Sequence, residues 1–129
     1  MTEALIQMNS EHASKFQANL KTFCAACDDV DLHCAAIIDN TLQKVILVSH
    51  PAFGYFCRDY GLEQLSIEME GREPTPRFLT GLIVKARSLG IKTVYLQQQH
   101  NPKGGKRIAQ EIGAESVFVD PYREDILTN

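Results

Sequence analysis

The sequence lacks any apolar run near the ~20 residues that a membrane-spanning helix needs; its apolar stretches are only a few residues long. It also lacks an excess of positive charge. Its formal net charge is −3, which argues against a nucleic-acid binder that relies on bulk positive charge. The N-terminal segment MTEALIQMNSEH has neither a basic region nor an apolar core, so we expect no secretory signal there. With 129 residues, 44% apolar and 22% charged, the composition predicts one soluble globular domain.

Cysteine is scarce, with four residues: Cys24, Cys27, Cys34 and Cys57. Four cysteines in a chain of this length do not indicate a small fold held by many disulfides. The CAAC motif falls inside a helical pattern and has no second pair at zinc-binding spacing. We interpret the cysteines as small buried helix residues. Cys27 and Cys34 are one heptad apart, about 10.5 Å along a helix, which is too far for a disulfide.

A long helix is predicted near the N-terminus, because apolar residues recur there at alternating spacings of three and four between Ala13 and Ile37. We place this helix over residues 10–40, with Asn9 or Ser10 as its N-cap. Its length would be about 45 Å, whereas a compact domain of this size has a radius of gyration of about 14 Å. We therefore expect the helix to extend beyond its own domain.

Strands and helices alternate through the rest of the chain. The patterns predict strands over residues 44–49, 65–69, 91–97 and 116–120, and helices over 51–60, 76–89 and 101–112. Thr75 is the expected N-cap of the second of these helices, and Gly90 follows its end. Short connections between alternating elements are typical of right-handed βαβ units. The predicted fold is α/β, a four-stranded parallel sheet of order 2-1-3-4 flanked by helices.

Ligands in open α/β sheets bind beyond the carboxyl ends of the strands, where the strand order reverses. The side chains at these positions are His50, residues 98–100 including His100, and Asp120. His50 also falls at the start of a predicted helix, where the dipole disfavours imidazolium and leaves a lone pair for a metal. Asp120 would add an anionic oxygen. The alternative for His50 is a helix-capping or surface histidine.

Other motifs are weaker. NPKGGK, residues 101–106, could bind phosphate at a helix start, but it lacks both the P-loop and the dinucleotide glycine spacing. The acidic segment EMEGRE, residues 68–73, could act in acid–base chemistry, although such charges are usually solvated. His12 and His33 fall on the polar side of the long helix, so we interpret them as surface residues.

A flavodoxin-like nucleotide- or phosphate-binding module, or a small enzyme, is the alternative function for an α/β fold of this kind.

Two strings resemble a known family: VSHPAFGYFCRDYGLEQLSIEMEGREPTPRFL and LQQQHNPKGGKRIAQEIGAESVFVDP. They resemble the C-terminal lobe of the zinc/manganese solute-binding proteins of bacterial ABC transporters. The segment NSEHASKFQANLKTF resembles that family's long backbone helix. The resemblance implies a backbone helix in residues 1–42 and a C-terminal α/β lobe in 43–129, with no counterpart of the N-terminal lobe.

The resemblance implies that His50 and Asp120 are the metal ligands of this lobe, with two further histidines on the N-terminal lobe. His100 is an additional candidate ligand, at a position where many relatives carry an aromatic residue. Imidazole at position 50 favours zinc over manganese. The family binds a metal and delivers it to an ABC permease, so no enzymatic activity is expected. The full-length protein would be periplasmic or a cell-surface lipoprotein.

Two expectations follow for the chain by itself. Without the second lobe, zinc would bind weakly, with a dissociation constant of about 1 µM or more, and binding would weaken in acid as His50 protonates. The missing lobe would also leave the long helix uncovered near Phe16, Leu20 and Phe23, which predicts self-association through this helix.

Overall fold

The computed structural model describes residues 1–68 and 74–123. The chain divides into two compact units. The described part of the first is Met1–Asn40, and the described part of the second is residues 41–68 and 74–123. Within these ranges, every helix is too short or too polar to cross a bilayer.

The first unit is helical. It contains α1 (Thr2–Met8), a 3-10 turn (Ser10–His12) and α2 (Ala13–Asp39). The predicted long helix is thus present, but it begins at residue 13 and is about 40 Å long at 1.5 Å per residue. Asn9 has φ −148° and ψ 83°, which separates α1 from the following turn, and its side chain makes no capping hydrogen bond. The predicted N-cap at Asn9 or Ser10 is therefore wrong, and α1 was not predicted.

The surface of α2 is open, since none of its residues is buried. Its large apolar side chains Leu20, Phe23, Val30 and Ile37 are 44–54% exposed. Cys24 and Cys27 are also exposed, which corrects the expectation that they are buried; Cys57, on a later helix, is the buried one. All four cysteines are free thiols.

The second unit is built on a parallel sheet of four strands in the order β2-β1-β3-β4, which confirms the predicted fold. Leu47 of the central strand β1 pairs with Leu65 of β2 and Val94 of β3. The strands are β1 (Val45–Val48), β2 (Glu63–Ser66), β3 (Thr93–Gln97) and β4 (Glu115–Val119), and the helices are α3 (Gly54–Asp59), α4 (Pro76–Ser88) and α5 (Lys103–Ile112).

The core lies at the centre of this sheet. Many of the most deeply buried apolar residues come from the two central strands, and α4 and α5 add side chains that pack on them. The cluster includes Leu47, Val94 and Leu96 from the strands, Leu82 and Ala86 from α4, and Ile108 and Ala109 from α5. Burial of β1 and β3 by both neighbouring strands and by helices explains their continuous apolar sequences.

Local signals set the ends of α4 as predicted. The Thr75 hydroxyl accepts a hydrogen bond from the Phe78 backbone N–H at 3.3 Å, and Pro76 occupies the first turn. At the other end Gly90 has φ +66°, a left-handed conformation that glycine adopts without strain. The Ile91 N–H then donates to the Ala86 carbonyl at 3.1 Å, which satisfies one of the last carbonyls of the helix.

The helix α3 starts later in the chain than the sequence predicts. The helix begins at Gly54, not at Pro51, so His50 does not lie at a helix N-terminus and the dipole argument for it is wrong. The Ala52 N–H donates to the His50 carbonyl at 2.9 Å, and the Phe53 N–H donates to Gln64 Oε1 at 2.8 Å. These bonds hold the chain after β1 in a turn that precedes the helix.

A close approach of backbone to side chain occurs where α5 packs against β3. Gly105 is buried, and a Cβ built there would collide with the Leu96 side chain, which is fully buried. The preceding residue, Gly104, is exposed and has nothing within 4 Å of the corresponding Cβ position. A side chain at position 105 would therefore hold α5 away from the sheet.

Candidate metal centre

Three potential metal ligands meet at the carboxyl edge of the sheet. His50 follows β1, Glu68 follows β2 and His100 follows β3. Since β1 lies between β2 and β3, the segments leaving these strands are neighbours in space. These three positions lie beyond the carboxyl ends of adjacent parallel strands, where ligands bind in open α/β sheets.

The backbone carries Glu68 to the site. The Ile67 N–H donates to the Val48 carbonyl at 3.0 Å, and the Glu68 N–H donates to the Ser49 carbonyl at 3.1 Å. These two bonds extend the β1–β2 ladder past the last residue of β2. Glu68 is therefore held by main-chain bonds beside the residue that precedes His50.

The side chains are in direct contact. Glu68 Oε2 lies 3.0 Å from His50 Nδ1 and 3.9 Å from His100 Nδ1. The two imidazole rings stack, with centroids 3.9 Å apart and an interplanar angle of 16°. One potential ligand atom from each of the three residues lies within 4.8 Å of the other two. Glu68 Oε2 is therefore hydrogen-bonded to Nδ1 of His50 and lies near Nδ1 of His100.

The site is partly open to solvent. The exposed fractions of the side chains are 30% for His50, 26% for Glu68 and 31% for His100. An ion from solution could therefore reach the ligand atoms without a large rearrangement. Partial burial also reduces screening by water, which strengthens the attraction of the carboxylate for a cation.

The donor set suits zinc. A tetrahedral zinc ion with bonds of about 2.0–2.1 Å needs ligand atoms about 3.3 Å apart. The two distances from Glu68 Oε2, 3.0 and 3.9 Å, lie on either side of this value. Two imidazoles and one carboxylate would leave a fourth position for water or another ligand.

Asp120 occupies a different environment. It follows β4, the edge strand next to β3. Its Oδ1 accepts hydrogen bonds from Gln99 Nε2 at 2.7 Å and from the Tyr122 N–H at 3.0 Å. Among the described residues it is not a member of the group formed by His50, Glu68 and His100. Of the three candidate ligands from the sequence, the structure brings His50 and His100 together with Glu68, whereas Asp120 accepts hydrogen bonds from Gln99 and from the Tyr122 N–H.

Glu68 was not among the candidate ligands predicted from the sequence. The sequence analysis placed a strand over residues 65–69, so Glu68 fell inside the strand and otherwise within an acidic segment interpreted as solvated. The strand ends at Ser66. The carboxyl-end rule would have selected Glu68 if the end of β2 had been placed correctly.

Gln97, the last residue of β3, was also overlooked. Its side chain is 1% exposed, and within residues 1–68 and 74–123 neither its Oε1 nor its Nε2 has a hydrogen-bond partner. The backbone at this position is satisfied, because the Gln97 N–H donates to the Ser49 hydroxyl at 3.2 Å. An unpaired buried amide is uncommon and costs stability.

Comparison with known proteins identifies relatives over nearly the whole chain. A family model described as "ZnuA: Zinc-uptake complex component A periplasmic" matches residues 1–127. The zinc-binding protein AdcA of Streptococcus pyogenes is 30% identical over 121 residues, which cover 92% of this chain and 24% of AdcA. A crystal structure of ZnuA superimposes with a TM-score of 0.92 at 32% identity, covering 98% of this chain and 49% of the ZnuA chain. A ZnuA deletion mutant with zinc bound gives a TM-score of 0.91 at 32% identity, covering 99% of this chain and 49% of that one.

The chain spans about half the length or less of the curated relatives that it matches. The match nevertheless extends from the first helices through the whole parallel sheet. The chain therefore belongs to the ZnuA family of zinc-uptake components.

Proposed function

We propose that this chain is the C-terminal, metal-binding lobe of a solute-binding protein that captures a divalent transition metal for an ABC transporter. The observation that carries the proposal is the position of His50, which follows the central strand of the sheet and lies among further metal-binding side chains. Membership of the ZnuA family supports the same function.

Zinc is the proposed cargo. Imidazole nitrogen suits zinc, whereas manganese favours sites made of oxygen ligands. Relatives with similar sequences include a protein described as zinc-binding and a structure with zinc bound. In the complete protein, Asp120 is a proposed second ligand of this lobe, for which its hydrogen bond from Gln99 would have to open or shift.

Calorimetric titration of the metal-free chain with zinc tests the proposal. We expect binding of one zinc ion with a dissociation constant of about 1 µM or weaker, because one lobe leaves part of the coordination sphere to water. His50→Ala should abolish or severely weaken this binding, whereas His33→Ala, which removes an exposed imidazole from α2, should not. Zinc binding unchanged by His50→Ala would contradict the proposed function.

The proposed partners follow from the same assignment. A second lobe would supply the remaining ligands, and an ABC permease would receive the ion from the complete protein, in the periplasm or at the cell surface. The complete protein carrying His50→Ala should then fail to support growth of its host in zinc-depleted medium, and added zinc should restore growth. Normal growth of this variant under zinc depletion would argue against a role in uptake.

The flavodoxin-like alternative, a nucleotide- or phosphate-binding module, makes a different prediction. It predicts a phosphate-binding turn after β1, and residues 49–54, SHPAFG, lack the glycine pattern of such a turn. Calorimetric titration with inorganic phosphate separates the two proposed functions. If the site binds a metal, phosphate should produce no heat of binding and should leave the zinc affinity unchanged.

We also propose that the chain self-associates through α2. The apolar side chains Leu20 and Phe23 are 44% and 51% exposed, and large exposed apolar patches are uncommon on monomers. Phe23→Asp should reduce the apparent mass at high protein concentration in analytical ultracentrifugation. Gln17→Asp, which adds the same charge at another exposed position of α2, is the matched control. A wild-type chain that sediments as a monomer at high concentration would refute this proposal.

A further inference from the structure

We propose that Glu68 and His100, together with His50, form a complete three-ligand zinc site within this lobe, and that this site holds zinc without Asp120. The inference rests on the proposed function, because it takes a divalent metal as the ligand. It adds the identity of the ligands and the independence of the site from a second lobe.

The donor atoms of the three residues are already close together. One ligand atom from each residue lies within 4.8 Å of the other two, and the shortest contact joins Glu68 Oε2 to His50 Nδ1 at 3.0 Å. A zinc ion would replace the proton between these atoms. Only small side-chain movements are then needed to bring three ligands to bonding distance, so little conformational entropy opposes binding.

Main-chain hydrogen bonds hold the segments that carry these side chains. Glu68 continues the ladder between β1 and β2 through its N–H bond to the Ser49 carbonyl. His100 follows β3 in a turn in which its N–H donates to the Gln97 carbonyl at 3.3 Å. Ligands that leave three neighbouring strands of one sheet are held more precisely than ligands on long loops.

The charge of these side chains also favours a cation. The two stacked imidazoles, with centroids 3.9 Å apart, place two ring-nitrogen donors beside one carboxylate. Imidazole binds a metal through the lone pair of its neutral form, so the bound set would offer one negative charge to a dication. This is a donor set of two histidines and one glutamate, which zinc binds with a fourth position left open.

Asp120 is not needed for this geometry. Its Oδ1 is engaged by Gln99 Nε2 at 2.7 Å, and it lies outside the group of three ligands among the described residues. The single-lobe site and a site that uses Asp120 therefore share His50 but differ in their other ligands. Substitutions can distinguish the two.

The decisive experiment is a zinc titration of the metal-free full chain in which NMR monitors the histidine side chains. The chain has four histidines, of which His12 and His33 are exposed on the helical unit. We expect the imidazole nitrogens of His50 and His100 to shift together as one equivalent of zinc is added, while those of His12 and His33 stay unchanged. This measurement uses the unmodified chain, so it does not depend on the folding of any variant.

Calorimetry on substituted chains gives the ligand set. Glu68→Gln and His100→Ala should each weaken zinc binding at least about tenfold, which corresponds to about 1.4 kcal/mol. Glu11→Gln and His33→Ala, at exposed positions of the helical unit, should leave the affinity within about twofold. Circular dichroism of each variant verifies that the fold is retained.

The outcomes separate the two proposals. If Asp120→Asn weakens binding while Glu68→Gln and His100→Ala do not, the single-lobe site is refuted and the proposed zinc-binding function stands. If zinc binds but His50→Ala has no effect, both are refuted, and the exposed thiols of Cys24 and Cys27 become the ligands to test. A chain that binds no zinc at millimolar concentration also refutes the single-lobe site.

Discussion

Gly105 offers a sharp test of how α5 is held against the sheet. In Gly105→Ala the added methyl group would collide with the fully buried Leu96 side chain, and the Ser49 Cβ is 3.7 Å away on another side. Gly104→Ala is the matched control, because it lies on the same helix and its Cβ would meet nothing within 4 Å.

The magnitudes follow from two opposing effects. Glycine to alanine in a helix stabilises by about 0.5–1 kcal/mol, since it reduces the freedom of the unfolded chain. Overpacking a filled core costs about 1–3 kcal/mol. Gly104→Ala receives only the first effect, so it should be more stable than the wild type. Gly105→Ala receives both, and its free energy of unfolding should lie about 1–3 kcal/mol below that of Gly104→Ala.

Urea unfolding monitored by circular dichroism measures the difference in the free energy of unfolding between the two variants. A double-mutant cycle with Leu96→Val adds a second criterion, because shortening Leu96 should relieve part of the strain in Gly105→Ala. The cost of the two changes together should then be smaller than the sum of their separate costs. If Gly105→Ala unfolds at the same urea concentration as Gly104→Ala, the close packing of α5 on β3 has been misjudged.

Four further predictions concern stability and reactivity. Gln97→Met should raise the free energy of unfolding by about 1–2 kcal/mol, because it removes two buried polar atoms that lack partners among the described residues; a decrease in urea unfolding would contradict this. Thr75→Ala should lower it by about 1 kcal/mol through loss of the α4 cap, and unchanged stability would show that the hydroxyl contributes nothing. Burial raises the pKa of the Cys57 thiol above its ordinary value of 9.0, so iodoacetamide at neutral pH should modify the exposed Cys24 first, as mass spectrometry can verify. The contribution of Cys57 to stability should be intact below pH 9.0 and decrease as the pH rises further, since the unfolded chain then loses its proton first.

The sequence was sufficient for the elements whose ends depend on neighbouring residues. Thr75 and Pro76 begin α4 and Gly90 follows it, because capping and a left-handed glycine act within one turn. The strand order also followed from the sequence, since short connections between alternating strands and helices permit few arrangements.

The errors arise where distant residues act. The start of α3 was placed at Pro51, but the Phe53 N–H binds the Gln64 side chain of β2, a contact between separate elements that no local pattern reveals. For the same reason the sequence did not predict that Glu68 lies beside His50, because the position of Glu68 depends on where the hydrogen-bonded ladder between β1 and β2 ends. On α2 the apolar spacing predicted the helix but could not indicate which of its side chains are covered, and Phe23 is 51% exposed.

The pairing of β1 with β3 sets a kinetic order for this chain. Leu47 pairs with Val94, and the segment between them contains α3, β2 and α4, so the two central strands join only after a long loop closes. His50 and His100 follow these two strands and come together only once that pairing exists. A ligand that requires both side chains would therefore recognise a late state of folding. It would slow unfolding while leaving the folding rate nearly unchanged.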